Sequence, residues 1–196
     1  MDREEEKEIA NLMRAARERA RGYADYFGWA IDRDLEEVGV VKALAEAMGT
    51  SDELFFSAIK GRGRPNDPPD CEALSTEGER IAIEVTELVD GSAIRSYKSG
   101  REYDWAEWDK EKFLSGLADA VNRKDGRYPK LKEPPYPGGY IVVVHTDEPD
   151  LNHSQVAEYL DGHIFQNPQY VTHAFLILGY EPRTNGCPFF ELPFNG

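Results

Sequence analysis

Two carboxylates occupy positions where a charge is costly to hold. Asp70 closes the run Asp67-Pro68-Pro69-Asp70, and Glu84 sits inside Ile81-Ala82-Ile83-Glu84-Val85-Thr86. The second run alternates as a strand does, with Ile81, Ile83 and Val85 on one face and Ala82, Glu84 and Thr86 on the other. A carboxylate flanked by apolar strand residues suffers a large desolvation penalty unless a counter-charge offsets it. A divalent cation is the natural candidate, because a hard ion such as Mg²⁺ selects oxygen ligands.

The other reactive side chains form weaker patterns. His145, His153, His163 and His173 are irregularly spaced, and neither Cys71 nor Cys187 stands at finger-like distance from them, which argues against structural zinc. His145, at the end of an apolar run, reads as a satisfied structural histidine in preference to a site residue. Glu87 alternates to the face opposite Glu84, so ordinary strand or surface use is expected of it. Trp105 and Trp108 read as core anchors rather than base-stacking platforms. Two cysteines cannot make a disulfide framework, and two reduced thiols are expected over one bridge.

The elements around the acidic pair can be read from pattern. Cys71 to Leu74 reads as a strand, Ser75-Thr76-Glu77-Gly78 as a turn and Glu79 to Leu88 as the return strand, a hairpin with a glycine turn. In the preceding loop, Gly61 to Pro69, consecutive prolines predict an extended approach of Asp70 to its strand. Upstream, residues 2–28 read as a helix that is acidic early and basic late, as the helix dipole favours. Asp32 or Asp34 caps a second helix to about Met48, with Leu35, Val38, Val41, Leu44 and Ala45 on its buried stripe. Glu53 to Ile59 reads as a helical turn in preference to a first strand.

Downstream, the polar stretch Asp90 to Asp104 reads as a loop over the site. Trp105 to Lys124 reads as a helix whose Leu114, Leu117, Val121 and Lys124 share one face. Gly139 to His145 is apolar enough for a central strand covered on both sides. Asn152 or Ser154 caps a helix to about Leu160, Val171 to Leu178 is another buried strand, and Pro188 to Leu192 is an edge strand.

A chain of 196 residues favours one domain with a short extension, divided here as a helical extension over 1–31 and a single α/β domain over 32–196. Its 40% hydrophobic content is enough for an ordinary core. No apolar run approaches the roughly 18 residues of a membrane span. Met1-Asp2-Arg3-Glu4-Glu5-Glu6 lacks the features of a signal peptide, so a cytoplasmic location is expected. A net charge of −14 counts against a non-specific or processive binder of nucleic acid, although a local basic face is compatible with it.

The order helix, strand–turn–strand, helix, strand resembles the αβββαβ core of the restriction-endonuclease-like fold. Asp67-Pro68-Pro69-Asp70-Cys71 and Ile81-Ala82-Ile83-Glu84-Val85-Thr86-Glu87 look like the two motif segments of the PD-(D/E)xK phosphodiesterase superfamily, in its "DPPDF … IEVTE" members. The resemblance covers roughly residues 35–180, and only these two segments are specific. It implies that Asp70 and Glu84 bind Mg²⁺ or Mn²⁺, with the backbone carbonyl of Val85 completing the shell. Such an ion orients a water, lowers its pKa and stabilises charge building on a scissile phosphate.

Where the motif has lysine this chain has Thr86, which supplies no cation. In the superfamily the lysine sometimes migrates to the neighbouring helix. Lys124, continuing the core-facing stripe, is the best replacement and Lys98 the second; a snorkelling helix-end lysine is the structural alternative for Lys124. Glu36 matches an extra acid that related nucleases place on the N-terminal core helix, with a solvated surface role as its alternative. Arg62, Arg64, Arg95 and Arg101 would flank the phosphate path of a nucleic acid, DNA or RNA. Two rivals stand beside a nuclease. One is a nuclease-fold protein that binds or regulates without catalysis, or that needs a protein partner or a second copy. The other is an unrelated α/β fold in which the acids are purely structural.

Overall fold

Both faces of the central strands are apolar, and both are covered. The computed structural model describes residues 33–51, 53–99, 107–183 and 185–195. The helix expected over 2–28, and with it the extension over 1–31, lies outside these residues, as do Arg101 and Trp105. The described chain is α/β. In order it forms α1 (Arg33–Thr50), β1 (Phe56–Gly61), β2 (Cys71–Ser75), β3 (Arg80–Glu87), α2 (Gly91–Lys98), α3 (Lys110–Asp125), β4 (Tyr140–Thr146), α4 (His153–Leu160), β5 (His173–Leu178) and β6 (Phe189–Glu191). The strands lie in one mixed sheet in sequence order, β1 to β6. β1, β2 and β3 form an antiparallel meander, β3, β4 and β5 are mutually parallel, and β6 returns antiparallel to β5.

Alternation divides the core in two. Ile81, Ile83 and Val85 of β3 join Ile141, Val143, Phe175 and Ile177 against Val40, Val41, Leu44 and Met48 of α1. Ala82, Val142, Val144 and Leu176 face the other way, against Phe113, Leu117 and Val121 of α3 and Val156 of α4. The helices α3 and α4 each have a cap that fixes where they start. Asp109 accepts a hydrogen bond from Lys112 N at 2.7 Å and Asn152 one from Gln155 N at 3.1 Å, which satisfies N–H groups the helix leaves unpaired. At the β2–β3 turn Gly78 has φ 80°, a left-handed conformation that glycine adopts without strain. No helix among the described residues is long and apolar enough to cross a membrane.

Leu35, expected on the buried stripe of α1, is exposed, and α3 starts at Lys110 rather than Trp105 because Asp109 caps it. Three further local readings are corrected. Residues 56–61 form a strand, not a helical turn, because pairing with β2 and burial of Phe56 against α1 outweigh local preference. That strand is irregular, with Ala58 at φ 54° and a register shift between Ser57 and Lys60. The stretch after Asp90 holds a helix, not a loop: the Asp90 carboxylate accepts from the N–H groups of Ser92 and Ala93 and so caps α2. The approach to Asp70 is turned rather than extended, with a 3₁₀ turn at Arg64–Asn66 and bends over 68–70.

Candidate metal centre

The β2–β3 register pairs Cys71 with Ile83, which brings Asp70, one residue earlier, opposite Glu84. The Val85 N–H donates to Asp70 Oδ2 at 2.7 Å and fixes that carboxylate against the strand. Val85 therefore meets the acids through its N–H, whereas the resemblance implied a role for its carbonyl. Both carboxylates are buried, Glu84 completely.

From α3 the stripe Phe113, Leu117, Val121 ends in Lys124, whose long side chain is buried beneath the helix. Its Nζ donates to Asp70 Oδ2 at 3.0 Å and to Glu84 Oε2, spanning the two acids. The lysine backbone is held as well. Tyr140 Oη donates to the Lys124 carbonyl at 2.7 Å, and that carbonyl also accepts the Arg127 N–H at 2.8 Å. Just beyond, the Asp125 carboxylate accepts from the N–H groups of Gln169, Tyr170 and Val171, tying the end of α3 to the start of β5.

Three further residues belong to the cluster. Arg127 places Nη1 3.1 Å from Glu84 Oε2 and donates from Nη2 to Asp67 Oδ1 at 2.8 Å. Ligand atoms from Asp67, Asp70 and Glu84 all lie within 4.8 Å of one another. On α1, Glu37 shares the inward face with Val40, Val41 and Leu44 and ion-pairs with Arg33 at 2.6 Å. Arg33, Asp34, Glu37, Gly63, Arg64, Asp67 and Asp70 enclose a cavity of about 20 Å³. That is room for one water-sized species.

The electrostatics come from burial and like charge. Burial and the neighbouring Asp70 charge push Glu84 up to about 7, against the opposing pull of Lys124 and Arg127. For Asp70, burial raises the pKa, but the Lys124 charge and the Val85 N–H outweigh it and hold the carboxyl below its usual range. Burial and Asp70 push Glu37 up to about 7, partly offset by Arg33. Burial and Asp70 also push the Cys71 thiol up to about 12, which leaves it a protonated core residue.

The donor set fits a hard divalent cation. Three carboxylates converge, and Asp70 Oδ1 and Glu84 Oε1 are buried oxygens with no hydrogen-bond partner among the described residues. A buried acceptor left unsatisfied is costly, so the centre is short of positive charge or of donors despite Lys124.

The other residues singled out in the sequence fall in several places. Glu37, not Glu36, is the α1 acid turned to the sheet; Glu36, about 100° away around the helix, is half-buried. Arg62 is not a free basic group. Its side chain is 8% exposed and engages Glu72 and Glu133, in a network that continues through Arg80 and Tyr136. Arg64 is exposed and lines the small cavity. Arg95 is exposed on a cleft of about 860 Å³ between α2 and α3, with Lys112 and Arg123, away from the three converging acids. Lys98 lies in α2 with its side chain outside the described residues, and Arg101 lies outside them entirely. Thr86 is half-buried. His145 is buried three strand positions beyond Val142, the register partner of Glu84, so its ring turns to the opposite face.

Asp67, Arg127 and Glu37 were missed. Signals for all three were present. Asp67 lies three residues before Asp70 in the same motif, Arg127 comes after Lys124 at the helical offset of three, and Glu37 precedes Val40, Val41 and Leu44 at offsets of three, four and seven. Comparison with protein-family models, curated proteins and solved structures finds no match for this chain.

Proposed function

We propose that the chain is a metal-dependent phosphodiester hydrolase acting on nucleic acid, with a centre of the PD-(D/E)xK type. The observation that carries this reading is the meeting of Asp70, Glu84 and Lys124 around two buried carboxylate oxygens that lack partners among the described residues. The order α1–β1–β2–β3–α3–β4, with α2 inserted, supports a restriction-endonuclease-like core. Lys124, arriving from the helix, supplies the cation that Thr86 does not.

Asp70 and Glu84 would hold Mg²⁺ or Mn²⁺, with Asp67 as a third carboxylate in reach. Once bound, the ion supplies Lewis-acid activation of a water and of the phosphate. The protein's own part is to keep the carboxylates desolvated and oriented. The strand register and the Val85 N–H fix Asp70, and the Tyr140 hydroxyl holds the Lys124 backbone from which the ammonium reaches the two acids.

The test is incubation with single- and double-stranded DNA and RNA in Mg²⁺ or Mn²⁺. Cleavage should occur with wild type and fall by at least a hundredfold in Asp70→Asn and Glu84→Gln. Cleavage undiminished in both variants refutes the assignment.

One observation favours a second reading, a binding or regulatory module that has lost catalysis. Lys124 and Arg127 already neutralise much of the acidic cluster, so the fold holds it without an ion. Calorimetric titration separates the two. Absence of Mg²⁺ or Mn²⁺ binding at millimolar concentration favours the inert module, and binding without cleavage favours a nuclease subunit that needs a partner.

A further inference from the structure

The charged groups of the centre differ sharply in exposure. The side chains of Glu84, Asp70 and Lys124 are 0%, 1% and 8% exposed, whereas those of Arg127 and Asp67 are 31% and 34% exposed. A ligand arriving from solvent therefore meets Arg127 and Asp67 before the buried pair. Arg127 also holds two of the three acids that a cation would draw together, one terminal nitrogen reaching Glu84 Oε2 and the other Asp67 Oδ1.

The charge balance depends on which partner those acids hold. With all groups ionised, three carboxylates against Lys124 and Arg127 leave the centre one negative charge in excess. A divalent cation turns this into one positive charge, the balance that suits a phosphodiester anion. Arg127 is then the exposed cation freed of its partners. Its planar fork matches two oxygens of one phosphate, which a lysine at the same place could not do.

The backbone around Arg127 needs no rearrangement for this. Its N–H is bonded to the Lys124 carbonyl, and the next residue, Tyr128, stacks on Tyr170 with centroids 4.4 Å apart and planes within 7°. Only the guanidinium has to turn.

We propose that Arg127 is a phosphate-binding residue of this centre, stored on Asp67 and Glu84 in the metal-free protein and released to a non-bridging phosphate oxygen when a divalent cation takes those carboxylates. The inference rests on the phosphodiesterase reading and adds to it a residue, a substrate contact and an order of events.

The experiment uses wild type, Arg127→Met, Arg127→Lys and Glu84→Gln. Mn²⁺ binding is measured by calorimetry, and binding of a fluorescein-labelled phosphorothioate oligonucleotide by anisotropy, with and without Mn²⁺. Arg127→Met should bind Mn²⁺ at least as tightly as wild type, because a competing cation has gone. It should lose about tenfold or more of the Mn²⁺-dependent gain in oligonucleotide affinity, the scale of one charged hydrogen-bonding group. Arg127→Lys, which keeps charge without the fork, should fall between.

The proposal is overturned if Arg127→Met keeps the full Mn²⁺-dependent gain, if wild type shows no such gain, or if Arg127→Met loses Mn²⁺ binding, which marks Arg127 as a support for the acids. Should wild type bind no Mn²⁺ at all, the phosphodiesterase reading fails and takes this inference with it. Mn²⁺ binding that is lost in Glu84→Gln but accompanied by unchanged oligonucleotide binding in Arg127→Met removes the Arg127 inference alone.

Discussion

Replacing Lys124 with methionine keeps most of the buried stem and removes the charge that spans Asp70 and Glu84. Breaking a buried ion pair by deleting one partner costs about 3–5 kcal/mol, because the other charge is left uncompensated. Arg127 still stands 3.1 Å from Glu84 Oε2 and softens the loss, so the low end, about 3 kcal/mol, is the expected figure at pH 7.5 in EDTA. With a urea m-value of about 2 kcal/mol/M, the unfolding midpoint drops by about 1.5 M. Tryptophan fluorescence during urea titration reads this directly.

Mn²⁺ then gives the contrasting arm. An ion that binds only the folded state at a hundred times its dissociation constant adds about 2.7 kcal/mol. In Lys124→Met it meets no competing ammonium, so the variant should recover most of its lost stability in millimolar Mn²⁺ while wild type gains less. If Lys124→Met is as stable as wild type in EDTA, or gains nothing from Mn²⁺, the ammonium is not balancing a cation site and the reasoning fails.

Acidity and the second basic cluster give two more expectations. Glu84 is raised from 4.5 to about 7 in the fold, so its contribution to stability is full below pH 4.5 and is lost as pH rises through 7, by up to about 3 kcal/mol. Between pH 4.5 and 7.5 in EDTA, denaturant titrations should show wild type weakening more than Glu84→Gln; parallel curves sink the claim, and Glu37, raised in both proteins, cancels from the comparison. Arg62→Met should lose about 2 kcal/mol by thermal or urea unfolding, since the partly buried Glu72 would keep Arg80 and Tyr136 but lose one charged hydrogen bond. Arg64→Met, two residues on and exposed, should stay within about 0.5 kcal/mol of wild type, and equal losses in the two would contradict the ion-pair network around Arg62.

What the sequence made legible was what local pattern dictates. The alternation Ile81 to Thr86 set Glu84 apart from the isoleucines because a strand has a period of two, and the structure splits the same residues between two cores. The stripe Leu117–Val121–Lys124 pointed inward because a helix repeats every 3.6 residues, and Lys124 is buried where that stripe ends. Arg127 escaped notice because the helix stops at Asp125 and a 3₁₀ turn at Tyr128–Lys130 redirects the chain. β1 was misread because its partner is β2 and its bulge at Ala58 breaks the alternation that would announce a strand. Arg62 and Arg64 look alike in sequence. What separates them is Glu133, 71 residues away from Arg62, and no local pattern carries that information.

The sheet runs β1 to β6 in sequence order, and the groups from Asp67 to Arg127 occupy one unbroken stretch before β4 begins at Tyr140. The ion pairs that join these groups span 40 to 60 residues of sequence, so each closes a long loop before the contact rewards it. During vectorial synthesis the acids and their two cations are all out of the ribosome before β5 and β6 exist. The strands β5 and β6 therefore join a sheet whose charged cluster is drawn wholly from the chain before them, and they extend that sheet without contributing a group to the cluster.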